Sequence, residues 1–151
     1  MWKIESLQTL ENEFMDEISS LDKLWMRHHW SAGQWKDEFS APNPNLRALF
    51  LLRDEHNSVK GLNLYELNPW SNQAHLLKIA LDDDLKGSGA AKALFEHAVS
   101  WMRGRSELGH NTKEIYLEVD TSNQRAIRFY KKMGFVELCE KKGFYSDGAD
   151  A

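Results

Sequence analysis

The chain is poor in the residues that form cross-links and metal clusters. It has one cysteine and six histidines in 151 residues, and a single cysteine can form neither an internal disulfide nor a cysteine metal cluster. We therefore expect no metal site and a reducing, cytoplasmic compartment. It has only three prolines, and no segment has the composition of a linker or a repeat. We expect one domain spanning residues 1–151, long enough to bury its own core.

Long apolar runs and an excess of basic charge are also missing. The longest apolar run, Leu49–Leu52, is followed at once by Arg53, far short of the ~20 residues that cross a membrane. The first residues, Met1–Glu5, lack the apolar core of a signal peptide. The net charge is −4, whereas a nucleic-acid partner requires a basic face. We expect neither a membrane nor a nucleic-acid partner, and the acidic balance suits a cationic acceptor such as an amine.

The order of the hydrophobic patterns predicts a mixed α and β chain. A first helix is predicted by apolar residues at three- and four-residue steps, namely Leu10, Phe14, Ile18, Leu21, Leu24 and Trp25. Ser31 should cap a short second helix that Pro42 and Pro44 end. The apolar and alternating runs predict strands over residues 1–7, 46–52, 59–67, 75–81, 114–120 and 135–140. A long helix should follow residue 89, and a capping box, Thr121 with Gln124, should start the last helix.

A glycine-rich turn joins the strand ending at residue 81 to the long helix. It reads Lys86-Gly87-Ser88-Gly89-Ala90-Ala91. Glycines let several backbone N–H groups converge on an anion, and the following helix N-terminus adds a positive dipole. The pattern therefore predicts a phosphate site, although a plain strand-to-helix turn would look the same. The spacing is neither that of a P-loop nor that of the dinucleotide G-x-G-x-x-G.

A second segment, thirty-odd residues later, identifies the chemistry. It contains Asn123, Ala126, Phe129-Tyr130 and Gly134-Phe135. With the glycine turn, it resembles the acyl-CoA-binding half of the GNAT superfamily of N-acyltransferases. The resemblance is specific over residues 75–136 and loose in the N-terminal half, and Lys86 stands where Gln or Arg is usual. It implies an α+β fold: a single domain with a central mixed, mostly antiparallel twisted sheet, flanked by about four helices, with strands 4 and 5 splayed to hold CoA.

This resemblance also implies how acetyl-CoA, the expected cosubstrate, is bound. The pyrophosphate would contact the turn residues Lys86, Gly87, Ser88, Gly89, Ala90, Ala91 and Lys92. Asn123 would hydrogen-bond the pantetheine arm, and Tyr130 would face the sulfur. The backbone of the fourth strand, Ile79-Ala80-Leu81, would contact the acetyl group, with the Leu81 N–H binding its carbonyl oxygen.

Within the superfamily the chain looks most like the bacterial acetyltransferases of ribosomal-protein N-termini. The residues that carry this resemblance are His29-Trp30-Ser31 with Trp35, Tyr116-Leu117-Glu118-Val119 and Phe144-Tyr145. It implies that Glu118 is the general base and Tyr130 the general acid, and that Trp30, Trp35, Glu118 and Tyr145 contact a protein N-terminal α-amine. Phe144 and Tyr145 would begin a seventh strand that finishes early. The resulting open sheet edge favours a homodimer.

Several alternatives stay open at this point. The acceptor could be a small amine, such as a polyamine or an aminoglycoside, because the acceptor residues lie where the resemblance is loose. The chain could instead be a non-catalytic acyl-CoA-binding regulatory module. Glu118 could be a solvated strand carboxylate, and Trp30 and Trp35 could be core residues, as most tryptophans are.

Overall fold

The computed structural model describes residues 2–40, 46–68, 70–104 and 112–151. The chain divides into two compact units, Met1–Tyr116 and Leu117–Ala151, and each is described by itself. The predicted helix end at Pro42 and Pro44 lies outside the described residues, as does most of the predicted loop over residues 104–112. None of the helices in the described ranges is both long enough and apolar enough to cross a membrane.

The first unit is built on a five-stranded sheet whose spatial order is the chain order. Its strands are β1 Lys3–Leu7, β2 Leu46–Arg53, β3 Val59–Leu67, β4 Gln73–Leu81 and β5 Glu114–Leu117, the last residue of β5 being the first of the second unit. The first four strands pair antiparallel. The carbonyl of Asn72 accepts hydrogen bonds from the N–H groups of Lys113 and Glu114, so β4 and β5 begin at the same end of the sheet. The predicted mixed, mostly antiparallel sheet is confirmed.

Helices cover the sheet because each has one apolar face. They are α1 Asn12–Trp25, α2 Ala32–Glu38 and α3 Ala90–Arg103. Residues of α1 and α2 form a buried cluster with one face of β2 and β3 that includes Ile18, Trp35, Leu49 and Leu62. The buried stripe of α3 contains Leu94, Phe95, Ala98 and Met102. Ser31 caps α2 as predicted, since its hydroxyl accepts the Gln34 N–H and the Gln34 side chain accepts the Ser31 N–H.

The buried face of α1 differs from the predicted one. Leu24 is 74% exposed, whereas Met15, Ile18 and Asp22 are buried. A helix advances by about 100° per residue, so Met15, Ile18 and Asp22 share one side while Leu24 falls on the other. The predicted stripe was wrong at Leu24 because the inward side of the helix is taken by the carboxylate of Asp22, two residues earlier.

The second unit contains α4, Gln124–Lys132. Its N-cap is Asn123, whose side chain accepts the Ala126 N–H at 3.1 Å; the predicted cap at Thr121 was wrong. The strand predicted over residues 114–120 ends at residue 117. It stops there because the Asp120 carboxylate accepts both the N–H and the hydroxyl of Ser122, at 2.8 and 2.7 Å, and this turns the chain.

The C-terminal segment forms turns where strands were predicted. Residues 135–140 have no strand structure, and Val136 and Leu138 are 80% and 86% exposed. An alternating sequence becomes a strand only when a neighbouring strand pairs with it, and among residues 112–151 no strand does so. The predicted seventh strand at Phe144 and Tyr145 is also absent, because the Tyr145 carbonyl accepts the Gly148 N–H and closes a tight turn.

Candidate active site

A β-bulge bends β4 just before the segment predicted to contact an acetyl group. Leu64 of β3 pairs with Lys78, but the next residue, Tyr65, pairs with Leu76. Leu77 is therefore an extra residue in β4. A bulge of this kind bends the strand and increases its local twist. The bend lies immediately before Ile79, Ala80 and Leu81.

The direction of the backbone at the end of β4 follows from one hydrogen bond. The Asp82 N–H donates to the Lys60 carbonyl at 2.9 Å. Successive N–H groups of a strand point to opposite sides, so the Leu81 N–H points away from β3. The two strands begin together, but β4 has nine residues and β5 only four. The Leu81 N–H therefore points to a side of β4 that β5 leaves uncovered, where it can donate to a ligand.

The glycine turn adopts a conformation that only glycine takes easily. A short 3₁₀ turn, Asp83–Leu85, follows β4. Gly87 and Gly89 then have φ angles of +81° and +88°, in the left-handed region. Gly89 is the N-cap of α3, and an added Cβ would meet no atom within 4 Å at either glycine. The space above the turn is therefore open to a ligand.

Backbone donors at this turn are left for such a ligand. The Ser88 N–H donates to Leu85, and the Ala90 N–H donates to the Ser88 hydroxyl at 3.3 Å. The first N–H that α3 uses internally is that of Ala93, which donates to Gly89. The N–H groups of Ala91 and Lys92 precede it and belong to the unpaired first turn of the helix. They lie at the positive end of the helix dipole, which favours an anion.

Two of the three acidic residues beside the turn, Asp82 and Asp83, pair with lysines. Lys86 Nζ lies 2.7 Å from an Asp83 carboxylate oxygen, and Lys60 Nζ lies 3.6 Å from Asp82. Asp82 also accepts the Asp84 N–H at 3.0 Å. The repulsion that these carboxylates would exert on a bound phosphate is reduced accordingly. Lys86 provides a positive charge where the family usually has Gln or Arg, but its ammonium group is paired with Asp83.

The two tryptophans predicted to contact an acceptor have different positions. Trp35 is fully buried and its indole N–H donates to the Asp22 carboxylate at 3.0 Å. It therefore belongs to the core and cannot line an acceptor pocket in this conformation. Trp30 is partly exposed, packs edge-on against Trp35 at 5.1 Å between ring centroids, and can present its ring to a ligand.

A buried ion pair that sequence reasoning missed holds Trp30 in place. Lys78 Nζ lies 3.1 Å from Asp22 Oδ2, and both side chains are almost wholly buried. The same carboxylate oxygen accepts the Trp30 N–H at 2.8 Å. Lys78 also donates to the His28 carbonyl and lies 4.5 Å from the centre of the Trp30 ring. Two signals in the sequence could have revealed this pair. Asp22 is a charged residue on the buried stripe of α1, and Lys78 is a charged residue within an otherwise apolar strand.

In the second unit, α4 places Asn123 and Tyr130 two turns apart, so both lie on one side of the helix. The Asn123 carbonyl oxygen caps the helix, and its amide Nδ2 takes no part in the cap. Tyr130 is buried and packs edge-on against Phe129 and Phe135. Burial, with a smaller contribution from Tyr145, raises the pKa of Tyr130 above its ordinary value. Its hydroxyl therefore remains protonated at neutral pH.

Glu118 lies in the same unit, one residue beyond β5. Its side chain is 10% exposed, and its Oε1 accepts a hydrogen bond from Lys141 Nζ at 2.9 Å. Burial raises the pKa of Tyr145 to about 12, and the negative charges of Asp120 and Glu118 add to the effect. Lys141 was not among the predicted site residues, and no local pattern singles it out.

No group of three or more His, Cys, Asp or Glu side chains that could hold a metal occurs in the described residues. The donors assembled in the two units instead suit an anion and an amine. Unpaired backbone N–H groups of the first unit are donors of the kind that bind an anion, and a carboxylate and two tyrosines of the second unit are groups of the kind that exchange protons.

Comparisons with known proteins agree with this chemistry. A model of the acetyltransferase (GNAT) family matches residues 4–135. An N-alpha-acetyltransferase of Saccharolobus solfataricus is 35% identical over 89 residues, which cover 59% of this chain and 51% of that protein. The chain thus spans about half the length of the first archaeal relatives that it matches.

A bacterial relative matches over a greater length. The [ribosomal protein bS18]-alanine N-acetyltransferase of Escherichia coli is 32% identical over 146 residues, covering 90% of this chain and 93% of that protein. The crystal structure of the ribosomal-protein-S18-alanine N-acetyltransferase from Escherichia coli superimposes with a TM-score of 0.77 at 24% identity. That superposition covers 99% of this chain and 89% of the other.

Proposed function

Because this chain belongs to the GNAT family of acetyltransferases, we propose that it transfers the acetyl group of acetyl-CoA to the N-terminal α-amine of a protein. The observation that carries the choice of acceptor is the match to the bacterial relative over 90% of this chain. A match of that length includes Trp30 and Glu118, two of the residues proposed to contact the acceptor. The family model extends through both units, so we further propose that residues 1–151 act as one catalytic domain.

The geometry supports the roles that the family resemblance implies for the binding residues. The glycine turn from Lys86 to Lys92 binds the pyrophosphate of acetyl-CoA, because it offers the unpaired N–H groups of Ala91 and Lys92 beneath open space. Asn123 donates its amide N–H to the pantetheine arm. The backbone of residues 79–81 contacts the acetyl group, and the Leu81 N–H donates to its carbonyl oxygen.

The reaction is a direct attack of the amine on the thioester. The amine nitrogen bonds to the carbonyl carbon, and the negative charge that develops on the oxygen is stabilised by the Leu81 N–H. Glu118 accepts the proton that the amine loses, directly or through a water molecule. The C–S bond then breaks, and Tyr130 donates a hydrogen bond or its proton to the departing thiolate. The products are an acetamide and CoA.

An α-amine suits this arrangement better than a lysine does. With a pKa of ~7.7–8.0, about one α-amine in ten is neutral at neutral pH, whereas fewer than about one lysine in a thousand is, at a pKa of ~10.4. The side chain of Glu118 is paired with Lys141. An α-amine needs less help from this base than a lysine does, because an α-amine loses its proton more readily. Trp30, held by Asp22 and Lys78, and the half-buried Tyr145 supply contact surface for the first residues of a peptide.

The acceptor can be tested with three matched amines. Thiol release from acetyl-CoA should be fastest with a peptide that has a free N-terminal alanine. Thiol release should be at least ten-fold slower with either of the other two amines. One is the same peptide with a blocked N-terminus and one internal lysine, and the other is spermidine. Mass spectrometry locates the acetyl group. Preference for spermidine would replace the proposed acceptor by a small amine, and binding of CoA without turnover on any amine would favour a binding module.

Replacing Gly89 by alanine should weaken CoA binding roughly 10–100-fold, because hydrogen bonds to a charged group contribute about 1.5–3 kcal/mol. The new Cβ would project into the open space above the turn. The positive φ of Gly89 also adds strain of about 1–3 kcal/mol for a residue with a side chain. Isothermal titration of the folded variant with CoA gives the affinity, and thermal unfolding gives the strain.

Gly148→Ala is the matched control for this variant. Gly148 has a φ of +86° and, like Gly89, no atom within 4 Å of an added Cβ. It should show the same loss of stability with unchanged affinity for CoA. Equal affinity losses in both variants would mean that backbone strain, rather than the pyrophosphate site, explains the effect.

A further inference from the structure

Lys141 holds its ammonium group against the proposed general base. Its Nζ lies 2.9 Å from Glu118 Oε1, and its side chain is half exposed while that of Glu118 is 10% exposed. The Nζ also lies 5.2 Å from the centre of the Phe144 ring, a distance at which a cation is attracted to an aromatic face. A carboxylate and an aromatic face together form a recognition site for an ammonium group, and here the chain's own lysine occupies it.

The backbone fixes Lys141 in this position. Its N–H donates to the Ala151 carbonyl at 2.6 Å, and the Ala151 N–H donates to its carbonyl at 3.0 Å. This pair of bonds closes the C-terminal turn. The neighbouring lysine, Lys142, differs: it is 76% exposed, and its ammonium pairs with Glu140 and Asp150 at 3.2 and 3.4 Å. Of these two adjacent lysines, only Lys141 contacts Glu118.

The same compact unit, residues 117–151, contains the tyrosine that we assign to the thiol. Tyr130, Glu118 and Lys141 all belong to it, and Tyr145 directly follows Phe144, whose ring lies beside the Lys141 ammonium. If Tyr130 faces the sulfur of acetyl-CoA, the thioester is brought to the group of side chains that holds the Lys141 amine. A reactant held in place in this way reacts as though its concentration were far higher than that of any free amine.

We propose that Lys141 is a self-acetylation site, at which the protein transfers an acetyl group from acetyl-CoA to its own Nζ. The inference rests on the proposed function. Glu118 accepts one proton from the ammonium, and the neutral Nζ bonds to the thioester carbonyl carbon. The nitrogen loses its second proton to solvent as the C–S bond breaks, and the thiolate is protonated to give CoA. The acetamide that forms carries no charge, so the ion pair with Glu118 is lost.

The experiment uses the full chain with acetyl-CoA and no added acceptor, near neutral pH. Peptide mapping by mass spectrometry should find acetyl groups on Lys141 and no more than background on Lys142. Lys141→Arg keeps the positive charge but should abolish the label, while Lys142→Arg should leave it unchanged. The fraction labelled per unit time should not depend on protein concentration, because the transfer occurs within one molecule.

Glu118→Gln separates this reaction from chemical acetylation. A lysine depends on a base far more than an α-amine does, since the neutral fraction of a lysine near neutral pH is about a few hundred-fold smaller. In this variant, the rate of Lys141 labelling should fall by about two orders of magnitude more than the rate of turnover on an N-terminal peptide. Chemical acetylation would be unaffected by the change.

The outcomes also distinguish this inference from the proposed function. Turnover on the N-terminal peptide with no label on Lys141, or with equal labels on Lys141 and Lys142, overturns the self-acetylation site and leaves the proposed function standing. Absence of transfer to both the peptide and Lys141, in a protein that binds CoA, overturns both.

Discussion

Replacing Tyr130 by phenylalanine is expected to lower the turnover number about 10²–10³-fold, the effect of removing one positioned donor from a developing negative charge. Burial raises the pKa of this phenol above its ordinary value, which at ~10 already exceeds the ~8.5 of a thiol. Complete proton transfer to the sulfur would therefore be uphill, and the role that we propose for Tyr130 is mainly to donate a hydrogen bond to the thiolate. Stopped-flow or steady-state thiol release measures the rate.

The fold and the affinity for CoA should change little in Tyr130→Phe. The ring keeps its edge-on contacts with Phe129 and Phe135, whose centroids lie 5.5 and 5.6 Å away. Tyr116→Phe, at a 41% exposed tyrosine that stacks on His75, is the matched control and should retain full activity. A Tyr130→Phe protein as active as the parent would make this residue structural.

Replacing Asp22 by asparagine should lower the free energy of unfolding by about 3–5 kcal/mol, because it leaves a buried ammonium without its counter-ion. Asp22 and Lys78 are 0% and 3% exposed. One oxygen of Asp22 binds Lys78 and the N–H groups of Trp30 and Trp35, so three contacts weaken together. Urea unfolding measures the loss. Adding Lys78→Met should recover most of it, since it removes the uncompensated charge.

The loss in Asp22→Asn should shrink as the pH rises. Burial lowers the pKa of Lys78 below the 10.5 of a free lysine, while Asp22 opposes that shift. Without Asp22 the folded-state pKa falls further. Between that pKa and 10.5 the unfolded chain binds more protons than the folded one, so stability increases with pH. A deficit that stays constant up to alkaline pH would show that lost hydrogen bonds, rather than the unpaired ammonium, account for it.

Local patterns predicted most elements of the first unit. The strand predicted over residues 59–67 is β3 with the same bounds, because its β-branched and apolar residues are flanked by polar turns. The helix after the glycine turn begins at Ala90 as the turn requires, since only glycine adopts the left-handed conformation at Gly89 without strain. Ser31 and Gln34 identified the start of α2. Each of these signals acts between residues that are close in the chain.

Signals that depend on distant residues were misread. The apolar stripe of α1 was wrong at Leu24 because Asp22 turns inward to meet a lysine 56 positions later in the chain. Trp35 was predicted to contact an acceptor, yet it is buried against that same aspartate. Residues 135–140 alternate like a strand but have no strand beside them. In each case the partner, and not the local pattern, decides the structure.

The sequence by itself determined the family, the order of the elements up to α4 and the glycine turn before α3, because glycine conformations, capping and hydrophobic periodicity are properties of neighbouring residues. The tertiary structure alone decided that Lys78 is buried against Asp22 and that Lys141 pairs with Glu118. It also decided that Tyr130 is buried, which raises the pKa of its hydroxyl. Burial and ion pairing depend on residues that are brought together only by folding. These three contacts involve charged or phenolic groups, whose chemistry depends on their surroundings.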